Sequence, residues 1–122
     1  MNHKFTILAA QKALAEHRQS FDDPQSHQAC FHNLFRHGTL ELEMYQPIKV
    51  DLQTPHDKDE VYFIASGSGC FEMNGERRAI SPGDVLFVPA GTEHRFVDFS
   101  DDFTTWVVLY GPPGGEKAVA AQ

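Results

Sequence analysis

The stretch Thr54–Gly69, TPHDKDEVYFIASGSG, decides how the rest of the chain is read. It opens polar, with His56 and Glu60 four residues apart, then turns β-branched and aromatic at Val61, Tyr62, Phe63 and Ile64. Such side chains suit a pleated, half-buried surface, so this part predicts a strand. Alternation along a strand puts His56, Glu60, Tyr62 and Ile64 on one face. A second punctuated strand, Gly83–Asp98 (GDVLFVPAGTEHRFVD), delivers another imidazole, His94. Two imidazoles and a carboxylate carried by neighbouring strands predict a metal site with open coordination positions.

Outward from these two stretches the chain is strand and turn. Leu40, Leu42 and Met44 alternate with Glu41, Glu43 and Tyr45 between Thr39 and Pro47, which predicts a strand with one buried face. A further short strand is expected through Ile48–Leu52. Cys70–Met73 alternates again and ends in Asn74-Gly75, a strong signal for a two-residue hairpin. Glu76–Ile80 returns as its partner, and Ser81-Pro82-Gly83-Asp84 fits a type II turn. Pro89-Ala90-Gly91 is another turn, Ser100–Asp102 a polar one, and Thr104–Tyr110 the last strand. Asp57 and Asp59 fall on the face opposite His56 and are expected to be solvated. Short strands at this spacing predict an all-β sandwich or barrel.

Before the strands, Thr6–Arg18 is rich in Ala, Leu, Gln, Lys and Glu and predicts a single helix against the outside of the body. Ser20–Asn33 is read as a loop because Pro24 and its polar neighbours interrupt any period. His27, His32 and His37 recur every five residues, a spacing that shares no face of a helix or a strand, so they are not assigned to one site. The expected organisation is an N-terminal helix and connecting arm over 1–38, a barrel over 39–112, and a tail over 113–122, either frayed or a docking arm.

The bulk properties exclude some partners. The 122 residues carry a formal charge of −7 with a pI near 5.3, which argues against nucleic acid and anionic membrane. Two cysteines, Cys30 and Cys70, are too few for a secreted disulfide scaffold. The first twenty residues lack a signal peptide's apolar core, so the expected location is cytoplasmic.

The two stretches together resemble the cupin motifs. The usual first motif is G-x5-H-x-H-x3,4-E-x6-G, and His56, Glu60 and Gly67 match its back half. The second is G-x5-P-x-G-x2-H-x3-N, matched by Gly83, Pro89, Gly91 and His94. The resemblance runs from about Leu40 to Tyr110 and resembles small single-domain cupins (monocupins) most. It implies a double-stranded β-helix, a jelly-roll barrel often assembled as a homodimer, with a divalent metal held by His56, Glu60 and His94. Fe, Mn, Ni, Co, Cu and Zn all suit imidazole and carboxylate. Two positions depart from the pattern: Thr54 stands where the first His is usual, and Asp98 stands where Asn is usual.

Around the metal the expected inner wall is Tyr62, Ile64, Phe71, Met73 and Phe96, with Trp106 and Tyr110 added from the final strand. Thr54, Tyr62 and Asp98 are candidates for pocket or acid/base roles. No Arg or Lys falls on the inward register near the motifs, which weighs against phosphorylated sugars. The expected function is a metal-dependent small-molecule enzyme of oxygenase, isomerase or lyase type, acting on a small, fairly apolar ligand with an oxygen for the metal. The alternatives are a binding or sensor module that leaves its ligand unchanged, and a metal-free barrel kept for an interaction surface. Fold alone does not choose among these.

Overall fold

The computed structural model describes residues 6–9, 12, 30–51 and 53–117. Most of the helix expected over Thr6–Arg18 lies outside these residues, as does His27. The named elements are eight strands: β1 Cys30–His37, β2 Leu40–Gln46, β3 Asp59–Ser66, β4 Gly69–Met73, β5 Glu76–Ile80, β6 Val85–Val88, β7 His94–Val97 and β8 Thr104–Tyr110. They form two antiparallel sheets, ordered β1-β2-β8-β3-β6 and β5-β4-β7. This is the all-β architecture expected, and its turns follow from local chemistry. Asn74 and Gly75 both take positive φ (52° and 80°), as a type I′ hairpin requires. The Ser81–Asp84 turn closes with a 3.1 Å bond from Asp84 N to the Ser81 carbonyl, and Gly83 supplies its positive φ of 94°.

Between the sheets lies an aromatic core. Phe96 is 1% exposed, and its ring centre lies 4.8 Å from that of Phe103, 5.0 Å from Tyr62 and 5.1 Å from Phe71. Tyr62, Ile64 and Phe71 face this interior and Met73 packs against it, as alternation predicted. Where β3 turns into β4 the backbone comes very close to Phe103. A Cβ on Gly67 would sit 2.5 Å from the Phe103 Cα, and its φ of +80° is itself unfavourable for other residues.

Four local expectations are corrected. Cys30–His37 is a strand paired antiparallel with β2, although its first residues were assigned to a loop. A bulge between Asn33 and Phe35 breaks the alternation that would have revealed it. On β2 the alternation is right, but burial is not confined to one face. Glu43 and Tyr45 lie opposite Val107 and Thr105, both fully buried, whereas Leu42 and Met44 lie opposite Val108 and Trp106. Met44 and Tyr45, on opposite faces, are both 0% exposed, so the strand is covered on both sides at this end. Of the short strand expected over Ile48–Leu52, the described residues Ile48–Asp51 hold only an isolated bridge between Ile48 and Val50, around Lys49 at φ 62°. Asp59 is buried, not solvated, because two backbone groups need it as acceptor: Ala90 N at 3.0 Å and Glu116 N at 2.8 Å. Through Asp59, and through Gly114 N on the Asp57 carbonyl at 2.6 Å, the 112–116 segment folds back onto the start of β3.

Candidate metal centre

The candidate ligands come from both sheets. Glu60 is the second residue of the central strand β3, paired with Val88 on β6 and Leu109 on β8. His94 opens β7 in the smaller sheet, opposite Met73. His56 precedes β3, and its carbonyl accepts from Gly91 N at 2.7 Å, which ties the first motif to the turn that presents His94. The ligand atoms of His56, Glu60 and His94 all lie within 4.8 Å of one another. His94 Nε2 is 3.0 Å from Glu60 Oε1, and His56 Nε2 is 3.3 Å from Glu60 Oε2.

Three features make this cluster fit a cation. Glu60 is 1% exposed, and neither carboxylate oxygen receives a well-directed hydrogen bond despite those short distances. A buried carboxylate left so costs free energy unless a positive charge faces it. His94 Nδ1 lies 2.8 Å from the Thr92 carbonyl and donates to it, which aims Nε2 at Glu60. The donor set, two imidazoles and one carboxylate, suits first-row divalent metals.

Tyr62 completes the polar group. Its hydroxyl donates to Gln53 Oε1 at 2.9 Å and lies 2.9 Å from His94 Nε2. Burial, reinforced by the Glu60 charge, pushes its pKa well up, so the phenol stays protonated and serves as a donor. Burial pulls the His94 pKa down, but the adjacent Glu60 carboxylate and the bond to the Thr92 carbonyl outweigh it and the net shift is upward.

The other sequence candidates divide. Phe96 is in the core beside Tyr62. Thr54 is exposed and lines a cavity of about 480 Å³, which Gln53, Glu72, Arg95 and His94 also line. Asp98 is exposed and pairs with Arg77 at 3.2 Å, at the rim. Trp106 is opposite Phe63 on the outer face of the large sheet, and Tyr110 shares its register, so neither lines the interior. Among the described residues the Arg or Lys on the cavity wall is Arg95, which is bound to Glu72 at 3.0 Å. Sequence reading passed over Gln53 and Asp51, since the cupin motif puts its first His two residues before His56, at Thr54. The i, i+2 pair Asp51/Gln53 was the available signal.

A family model described as the cupin domain matches residues 41–110, more than half of the chain, and the chain belongs to that family. An uncharacterized protein of Streptomyces coelicolor is 41% identical over 63 residues, covering 52% of this chain and 59% of the relative. Acireductone dioxygenase of Danio rerio is 35% identical over 60 residues, covering 45% of this chain and 33% of the enzyme. The chain thus spans less than two thirds of these relatives. Among solved structures, DMSP lyase DddQ from Ruegeria pomeroyi is similar with a TM-score of 0.60 and 26% identity, over 69% of this chain and 47% of the lyase.

Proposed function

We propose that the chain is a metal-dependent cupin enzyme acting on a small, fairly apolar molecule that carries an oxygen donor. The observation that carries this reading is Glu60, a buried carboxylate held between two imidazole nitrogens with no hydrogen bond to satisfy it. His56, Glu60 and His94 would hold the ion. A bound divalent metal would supply Lewis acidity toward a substrate oxygen or activate water or O₂.

The chain's own groups set the rest. Thr92, through its carbonyl, keeps Nε2 of His94 available. Tyr62 keeps its proton at neutral pH and donates it to Gln53 Oε1, with its oxygen 2.9 Å from His94 Nε2, so the phenol would act as a hydrogen-bond donor beside the ligand cluster. Phe71 and Phe96 pack behind Tyr62 and His94 in the core and close the inner side of the cluster. The neutralised Arg95 leaves no free clamp for a phosphate. Oxygenase and lyase chemistries, the activities named for the Danio rerio and Ruegeria pomeroyi proteins, are the first to test. The proposed assembly is a homodimer through the outer face of the large sheet, where Phe63, Val85 and Phe87 are exposed.

The test is turnover by protein reconstituted separately with Fe, Mn, Ni, Co, Cu and Zn. O₂ consumption and product formation are followed on a panel of diketone, phenolic and small thioether-acid compounds. The reading expects turnover with at least one metal and none from Glu60→Gln. Saturable ligand binding without turnover across the panel would favour the sensor module instead.

A further inference from the structure

The metal reading leaves one position of the usual ligand set unfilled, because Thr54 faces solvent. Gln53 fills the space. Its Oε1 lies 3.4 Å from His56 Nε2 and accepts from the Tyr62 hydroxyl. Asp51 fixes which end of the amide faces the imidazoles. Gln53 Nε2 donates to Asp51 Oδ2 at 2.5 Å, and a carboxylate oxygen in that role accepts, so the carbonyl end must point the other way. Asp51 is itself immobilised: it is 4% exposed and accepts from Phe96 N at 2.8 Å, Gln53 N at 3.1 Å and the Tyr45 hydroxyl. An amide oxygen has two lone pairs, and Tyr62 uses one.

We infer that Gln53 Oε1 is a fourth protein ligand of the same metal centre, in place of the imidazole that Thr54 does not provide, with Asp51 as the residue that positions it. This rests on the metal reading above. Two nitrogens and two oxygens make a harder donor set than three imidazoles and a carboxylate, which moves the preference toward Mn²⁺ and Fe²⁺ and away from Cu²⁺. Pro55 explains why the donor sits at 53: the backbone from Gln53 to His56 is not strand, so the alternation that would select Thr54 does not hold there.

The experiment titrates metal-stripped full-length protein with Mn²⁺ and with Co²⁺ by calorimetry, comparing wild type, Gln53→Met, Thr54→Ala and Glu60→Gln. Met keeps the length of Gln and removes the oxygen. Gln53→Met is expected to weaken Mn²⁺ binding about 10–100-fold and to change the visible Co²⁺ bands, a readout that a purely structural role would leave alone. Thr54→Ala is expected to bind as wild type does. Wild-type affinity in Gln53→Met, or an equal loss in Thr54→Ala, overturns the assignment while a loss in Glu60→Gln keeps the metal reading. No effect in Glu60→Gln removes both. A second measurement needs no variant: the Gln53 Cδ resonance of ¹³C-labelled wild type should move downfield on adding Zn²⁺, and an unmoved resonance contradicts ligation.

Discussion

Tyr62 and His94 lie 2.9 Å apart and bear opposite relations to protons, and the chemistry of the centre turns on that pair. Replacing Tyr62 with Phe removes a donor to Gln53 and a neighbour of His94 Nε2. Turnover should fall roughly 100-fold while bound metal stays at wild-type stoichiometry. Steady-state kinetics with metal analysis of the same sample checks this. The raised His94 pKa sets the pH dependence. In metal-free protein the stabilisation from His94 is full below the unfolded pKa near 6.5 and is lost as pH rises through the higher folded value. Metal needs the unprotonated ring, so affinity has the opposite slope. It should weaken progressively as pH drops through the folded His94 pKa, with His94→Ala losing both effects. Titrations at stepped pH, read beside thermal melts of the metal-free protein, report the two slopes. At this scale the sequence was legible where residue type alone limits the chemistry: His56, Glu60 and His94 converge as their spacing in the two motifs implied. Gln53 was not, because its role depends on a break in alternation at Pro55 and on a carboxylate that orients its amide.

Strands and turns carry those residues, and their failures should be graded by backbone contact. Asp59 closes two loops at once, so Asp59→Ala leaves two backbone N–H groups without an acceptor. It should cost about 2 kcal/mol, read as a lower melting temperature. Gly67→Ala must relieve a 2.5 Å overlap with the Phe103 backbone as well as a positive φ, and should cost at least about 2 kcal/mol. Turn chemistry was legible for a related reason: Asn74-Gly75 and Pro82-Gly83 state their geometry in two residues. β1 is hidden by its bulge, and on β2 alternation alone does not show that Met44 and Tyr45, on opposite faces, are both buried.

At the scale of the whole molecule, the outer face of the five-stranded sheet presents Phe63, Val85 and Phe87, 44–57% exposed, near the edge strand β6. The proposed homodimer would cover them. Phe87→Glu should shift the protein to monomer in sedimentation while leaving metal binding unchanged; a monomeric wild type would exclude the assembly. No helix among the described residues is long and apolar enough to cross a membrane. The fold itself does not select the reaction, since β3, the segment just before it and β7 would deliver the same three side chains whatever the substrate.

The most direct measurement is the metal stoichiometry of the wild-type chain against Glu60→Gln after reconstitution with each first-row divalent ion. One equivalent in wild type, falling to background in the variant, is the predicted result. Equal metal in both proteins, or none in either, would contradict a cation held between His56, Glu60 and His94.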